Sequence, residues 1–448
     1  MLIKALVENF KSFNRPTELT MITSNKIRVK GEHEIQIKKL KLLKNAVIYG
    51  ANASGKSNLV ELFYFLKYCL EKKIPVGGAN LFCKLEKENI SRPSTFEIQF
   101  SVGENIYDYG FSVVINERKI VEEWLYELKV NDEPSCIFEY KEGSLPVLGL
   151  KGILKEDASK FRTYAEDYQE SKGVLFLTEL NRNKKYHEES KLFIIKEIYN
   201  WLTKNLIVFK SDVPITDFGY FYNENSLEIV NKLIRVFDTG IANARIVNIS
   251  LEELKRKLPI ELFESVMSKI EECIEKGDKH CRFSMRSSDE FFNIEIYSNQ
   301  EPSITTIKLT HENSYFDYDF EEESDGTRRL FDLLDMLLVS NDDIVFVMDE
   351  LERSLHPKLT ERFLQLFNEI HKNRKIQLIF TTHEASIMDQ ELFRRDEIWF
   401  VERDAKNCSH IYSLDKFKER YDKKLSKAYL EGRYGAIPVF KSFSFKGE

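Results

Sequence analysis

The segment Gly50-Ala51-Asn52-Ala53-Ser54-Gly55-Lys56-Ser57 constrains the fold of this chain more than any other stretch. Two glycines five residues apart, followed by Lys and Ser, are what a loop needs to wrap a phosphate. Successive backbone N–H groups must curl round the anion, glycine permits the backbone angles, and the next helix adds its N-terminal dipole. The flanks agree with that reading. Asn45 to Tyr49 is a short apolar strand, and Lys56 to about Leu70 places Leu59, Leu62, Phe63, Leu66 and Leu70 at helical spacing. Lys56 is expected to reach the β- and γ-phosphates of ATP and the Ser57 hydroxyl to ligate Mg²⁺. Gly50, Asn52, Ala53, Ser54, Gly55 and Asn58 complete the expected nucleotide cradle.

Three further strings carry chemistry. Ile344 to Met348 is a buried strand that ends in Asp349 and Glu350. Open α/β sheets bind ligands at that strand end, so Asp349 is expected to hold Mg²⁺ and Glu350 to deprotonate the attacking water. Ile379-Phe380-Thr381-Thr382-His383 repeats the pattern, and His383 is placed to sense a γ-phosphate. Glu323-Ser324-Asp325-Gly326-Thr327 stands directly before a helix. Ser324 suits an N-cap, and the exposed N–H groups there suit an anion. The phosphates held by residues 50–57 are already served, so these N–H groups are free for a second protomer's nucleotide.

The remainder bounds the answer. The 448 residues carry 66 basic and 73 acidic side chains, a net charge of −7, which excludes a uniformly basic nucleic-acid coat. Apolar residues make up 42%, enough for a real core, and no apolar run reaches 18 residues. Lys4, Glu8 and Lys11 interrupt the opening apolar stretch, so no secretory signal is read. Six scattered cysteines read as reduced cytosolic thiols, and Cys273, His280 and Cys281 match no zinc spacing. Strands are expected over Leu2–Phe13, Thr17–Ile22, Thr95–Val102, Tyr107–Asn116, Lys119–Val130, Ser303–Leu309, Ile376–Thr381 and Glu397–Val401. Helices are expected over His187–Lys204, Asn225–Phe237, Leu251–Glu275, Ser324–Leu338 and from Pro357 to about His371. Lys416 to Lys424 is basic with interleaved aromatics and reads as a solvated helix face. Short apolar runs alternating with helices imply an α/β fold with a mostly parallel sheet.

Together and in this order, the four motifs resemble the ABC-type ATPase superfamily. Ser324-Asp325-Gly326-Thr327 is similar to its signature motif, and Ser354-Leu355-His356-Pro357 is similar to the D-loop. Glu8-Asn9-Phe10-Lys11-Ser12-Phe13 and Asn52 resemble the RecF, SMC and OLD branch of AAA-family proteins. Closer still, Pro93-Ser94-Thr95-Phe96-Glu97-Ile98, Tyr109-Gly110-Phe111-Ser112, Glu122-Glu123-Trp124-Leu125-Tyr126 and Gly432-Arg433-Tyr434-Gly435-Ala436-Ile437-Pro438 resemble RloA/AbiL-type ATPases of bacterial phage defence. The resemblance implies an ABC-ATPase head with an N-terminal antiparallel β-subdomain. Residues 1–150 and 311–448 would form the head, with an inserted helical or α+β region over 151–310. It also implies a cytoplasmic protein that uses ATP and Mg²⁺.

Its partners would be a second copy, head to tail or in a higher homo-oligomer, and an effector in trans such as a TOPRIM-like nuclease or a toxin. DNA is an admissible partner and a membrane is not. In that arrangement Ser324, Gly326 and Thr327 close on the partner's nucleotide beside Ser354, Leu355 and His356, while Glu350 and His383 act in cis. Only 65 residues follow His383, too few for the nuclease domain of OLD-type proteins, so the effector is expected on another chain. The alternative is a RecF/SMC-like repair ATPase acting on DNA itself. Two departures stand out. Asp325 occupies a position that is glycine in transporters, and no Q-loop glutamine follows the apolar run Val174–Thr178, where the chain reads Glu179-Leu180-Asn181.

Overall fold

The computed structural model describes residues 1–129, 133–169, 171–210, 224–275, 280–286, 290–297, 300–417 and 424–438. They divide into two compact units. One comprises residues 1–210, 341–351 and 368–448, and the other comprises 211–340 and 352–367.

In the first unit, β1 (Leu2–Glu8) and β2 (Thr17–Thr20) flank the Asn14-Arg15-Pro16 turn. β3 (Glu34–Ile37) and β4 (Leu40–Leu43) form a small hairpin. β5 (Asn45–Tyr49) is buried at every position and feeds α1 (Lys56–Glu71). β6 (Ser94–Val102), β7 (Asn105–Val114), β8 (Lys119–Leu128), β9 (Ser135–Lys141) and β10 (Val147–Leu148) follow. With β1 and β2 they make a seven-stranded antiparallel sheet in the order β10-β9-β8-β7-β6-β1-β2. α2 (Lys155–Tyr168), α3 (Phe176–Asn181), α4 (Phe193–Asn200) and β11 (Leu206–Phe209) complete this stretch. Residues 155–210, expected in the inserted region, therefore pack with the head.

The second unit holds α5 (Glu224–Val236), β12 (Ile241–Ile249), α6 (Leu251–Lys257), α7 (Ile260–Glu275), β13 (His280–Arg286), β14 (Phe291–Tyr297), β15 (Ser303–His311), β16 (Tyr318–Asp319) and α8 (Asp325–Leu338). Its antiparallel sheet runs β12-β15-β14-β13, with β16 on β15. α6 and α7 were expected as one helix. Pro259 separates them by forcing Leu258 into an extended conformation (φ −107°, ψ 143°). Leu254, Val266, Ile270, Phe292, Ile294 and Ile304 form the local core.

The chain then supplies β17 (Ile344–Met348), α9 (Pro357–Ile370), β18 (Ile376–Thr381), β19 (Ile398–Arg403), β20 (Ser409–Ser413) and α10 (Leu425–Leu430). The central sheet of the first unit runs β11-β17-β18-β5-β19-β20. All pairings are parallel except β19 with β20. β5, β17 and β18 are buried throughout, as a parallel sheet covered on both faces requires. The α/β head with its antiparallel β-subdomain thus matches the expectation.

A further expectation changes. The cysteines are not all free thiols: Cys273 at the end of α7 and Cys281 in β13 form a disulfide, with Cα atoms 6.2 Å apart. Eight residues of separation gave no hint, because the helix end and strand start meet only in the folded unit. Phe176–Asn181 is α3, and the strand beside β17 is β11, which ends at Phe209 before Lys210. Most of the basic stretch Lys416–Lys424 lies outside the described residues. Among the described residues no helix is long and apolar enough to cross a membrane.

Candidate nucleotide site

The loop after β5 is built so that glycine is required at both ends. A Cβ on Gly50 would lie 2.5 Å from the Val401 carbonyl oxygen and 2.6 Å from Ser54 Oγ. Gly55 has φ +113°, and a Cβ there would collide with Ser409 Oγ and approach Ser12 Oγ to 2.8 Å. Ser409 in turn donates to the Ser54 carbonyl at 2.6 Å, and its amide donates to the Ser12 carbonyl at 2.8 Å. The loop is thus braced by the turn after β1 and by the start of β20. Asn52, Ala53 and Ser57 are exposed, while Ser54, Gly55 and Lys56 are buried. Asn58 points elsewhere: its amide donates to Ser12 Oγ at 2.7 Å, which makes it part of the brace.

Lys56 Nζ donates to the carbonyls of Gly50 (2.8 Å) and Ala51 (3.2 Å) and lies 3.4 Å from His383 Nδ1. The other ring nitrogen of His383 is 3.7 Å from Glu350 Oε1. Lysine, histidine and glutamate therefore form one line across the ends of β5, β17 and β18. Parallel register explains it, since Met348 pairs with Phe380 and Thr381 with Ile48. The residues one step beyond these pairs emerge together at the C-terminal edge.

Sequence reasoning missed Thr381. Its hydroxyl donates to Asp349 Oδ1 at 2.6 Å and accepts from the Glu350 amide at 2.8 Å. One buried hydroxyl orients both carboxylate residues. Glu350 adopts φ +48°, a left-handed conformation that costs a non-glycine residue about 1–2 kcal/mol. The visible signal was a threonine closing a strand that is apolar at every other position but Gln377.

Ser57 and Asp349 are the residues that could hold Mg²⁺. Among the described residues there is no group of three or more His, Cys, Asp or Glu able to hold a metal. A Mg²⁺ site of the nucleotide-dependent kind uses one or two protein groups plus substrate phosphates and water.

The string Gly432–Pro438 also has a place. Tyr429 lies 5.6 Å from Tyr49, ring to ring, and Tyr434 lies 5.7 Å from Phe400. Tyr412 donates to the Tyr434 carbonyl at 2.7 Å. This aromatic cluster packs on the residue immediately before the phosphate loop.

The second unit gathers the signature-like and D-loop-like residues. Ser324 caps α8, its Oγ accepting from the Thr327 amide at 3.1 Å and lying 2.9 Å from Thr327 Oγ1. Asp325 pairs with Arg328 at 2.5 Å. Gly326 sits against the D-loop, where a Cβ would come within 2.6 Å of the Ser354 carbonyl oxygen. Ser354 has φ +63°, Leu355 donates its amide to Glu352 at 2.8 Å, and His356 Nδ1 accepts from Lys358 at 3.2 Å as α9 begins.

Residues 46–389, about three quarters of the chain, match the family described as "AAA domain, putative AbiEii toxin, Type IV TA system". No curated protein matches the sequence. Among solved structures, an SMC head bound to the C-terminal winged-helix domain of ScpA has 14% identity and a TM-score of 0.43, covering 92% of this chain and 97% of that one. The SMC head domain from Thermotoga maritima has 15% identity and a TM-score of 0.38, with 92% and 98% covered. An SMC head with an extended coiled coil from Pyrococcus furiosus, bound to the C-terminal domain of ScpA, has 12% identity and a TM-score of 0.37, with 97% and 99% covered. The family match runs from β5 past His383 and so takes in the phosphate loop, both carboxylates and the histidine; the chain belongs to that AAA-domain family.

Proposed function

We propose that this chain binds and hydrolyses ATP as a nucleotide-gated switch in bacterial defence against phage, controlling a separate effector such as a nuclease or a toxin. The observation that supports it best is the line Lys56, His383, Glu350, with contacts of 3.4 and 3.7 Å, beside a buried Asp349. In this reading Lys56 exchanges the carbonyls of Gly50 and Ala51 for the β- and γ-phosphates. Ser57 and Asp349 would hold Mg²⁺, which neutralises charge on the phosphate oxygens. Glu350 takes the proton from a water whose oxygen bonds to the γ-phosphorus. The bond from that phosphorus to the bridging oxygen breaks and leaves ADP. His383 keeps the Glu350 carboxylate oriented and meets the γ-phosphate.

Ser324, Gly326 and Thr327 would serve the nucleotide of a second copy, so ATP joins two chains and hydrolysis releases them. The switch would sit in the cytoplasm. A family description that includes a toxin–antitoxin system supports a partner-controlled role of this kind.

Paired variants test the reading. Lys56→Ala should lose nucleotide binding, and Glu350→Gln should bind ATP, turn over at least roughly a hundredfold more slowly and accumulate as a dimer. Unchanged ATP affinity in Lys56→Ala, or normal turnover in Glu350→Gln, refutes the assignment.

A further inference from the structure

Ser57 and Asp349, the two residues that could hold Mg²⁺, stand on different elements, so a site built from both depends on what fixes their separation. Asp349 is held from two directions. Thr381 orients its carboxylate, and its amide donates to the Phe209 carbonyl at 3.0 Å. Phe209 ends β11, which pairs with β17 from Leu206 onward. β11 is four residues long and lies at the edge of the central sheet. A strand that short, paired along one side, takes its position from whatever packs against it.

α1 provides that packing. Ser57, Glu61, Tyr64 and Lys67 follow one another at intervals of four, three and three residues, so they share one face of the helix. Lys67 Nζ donates to the Leu206 carbonyl at 2.9 Å, at the start of β11. Glu61 Oε1 meets Lys210 Nζ at 2.5 Å, one residue past the strand's end. The same ammonium lies 4.0 Å from the centre of the Tyr64 ring, within range of a cation–π attraction. The stripe that begins with Ser57 therefore grips β11 at both ends. Glu61 also lies 3.5 Å from Lys11 Nζ, next to Ser12, the residue against which Gly55 packs.

An isolated ion pair at a half-exposed surface contributes little to stability. This pair has a second cation and an aromatic face beside it. It joins the helix that presents Ser57 to the strand whose last carbonyl holds the Asp349 amide. We infer that Glu61 and Lys210 are positioning residues that set the separation of Ser57 and Asp349, and through it the affinity of the site for a divalent cation bound with nucleotide. The inference rests on the proposed nucleotide reading and deepens it, by naming the pair on which cation binding, as distinct from phosphate binding, depends. The phosphate loop takes its brace from Ser12 and Ser409. Removing the Lys210 charge leaves Glu61 with Lys11 and so spares that brace.

The test uses the full-length protein saturated with an ATP analogue that cannot be hydrolysed. Mn²⁺ is the probe, and its binding is read by electron paramagnetic resonance. Affinity for the analogue is measured separately in EDTA. Lys210→Met should weaken Mn²⁺ binding by roughly tenfold or more, the usual effect of removing a group that orients a metal-holding residue. Its affinity for the analogue in EDTA should match wild type, and Lys210→Arg, which keeps the charge, should restore Mn²⁺ binding. Unchanged Mn²⁺ affinity in Lys210→Met overturns the inference. A loss that appears equally in EDTA also overturns it, because it marks a general disturbance of the phosphate loop. If Lys210→Met does not fold, Lys210→Gln is judged by the same two measurements. Wild-type protein that binds no nucleotide contradicts the proposed function itself. Wild-type protein that binds the analogue and shows no Mn²⁺ signal contradicts the assignment of Ser57 and Asp349, and the positioning pair falls with it.

Discussion

The hydroxyl of Thr381 donates to Asp349 and accepts from the Glu350 amide, so two carboxylate residues depend on one side chain. Thr381→Val keeps the shape and removes both bonds, leaving a buried N–H without its acceptor at a cost of about 1–3 kcal/mol. Turnover should drop at least roughly tenfold with ATP affinity little changed, and Thr381→Ser should restore it. A valine variant with normal turnover would show that the carboxylates hold their positions without the hydroxyl. At this scale the sequence was informative where chemistry dictates spacing. Gly50, Gly55, Lys56, Asp349, Glu350 and His383 could all be picked out because a phosphate loop and two strand ends leave little freedom. Thr381 could not, because its role arises from the register between β17 and β18. Asn58 matched the expected cradle by position alone, and its amide turns to Ser12.

Glu123 shows how one residue shapes an element. It is fully buried in β8 and accepts from the Phe176 amide at 2.5 Å, the Leu177 amide at 2.9 Å and the Tyr109 hydroxyl at 3.0 Å. The carboxylate thus caps the start of α3 from a distant strand. Burial raises its pKa from 4.5 to about 7, opposed by those three hydrogen bonds. The folded state therefore holds this proton more tightly than the unfolded chain between pH 4.5 and 7. Stability from this group is fully present below pH 4.5, declines as pH rises to 7 and is level above, a span of about 3 kcal/mol. Glu97 is also raised to about 7 by burial and by Asp108, so wild type carries two such contributions. Denaturant unfolding at pH 5 and pH 7.5 should show a smaller difference for Glu123→Gln than for wild type, and an identical difference contradicts the account. Elements with plain periodicity were legible, among them α1, α8, β5 and β17. α2 was hidden by its polar face despite the buried spacing of Phe161, Ala165 and Tyr168, and β12 by its alternating Asn and Arg.

At the scale of the whole molecule, the chain leaves the central sheet after β11, builds a second unit and returns at β17. Residues 352–367 then rejoin the second unit, which places Ser354 against Gly326. The sequence reading placed 1–150 and 311–448 together in one head, whereas residues 311–340 and 352–367 fall in the second unit. It did not show the boundaries near 210 and 340, because they follow which segments pack together and not any change in composition. The division puts Lys56, Asp349, Glu350 and His383 in one unit and Ser324, Gly326 and Thr327 in the other, and we propose that the two sets meet between copies. The central claim is that sharing. It is tested most directly by mixing two inactive full-length variants, Lys56→Ala and Ser324→Arg, and measuring ATP turnover. A shared site predicts recovery to about a quarter of the wild-type rate at equal amounts, because half of the dimers are mixed and each holds one intact site. A mixture as inactive as its components, with exchange of subunits verified, would contradict it.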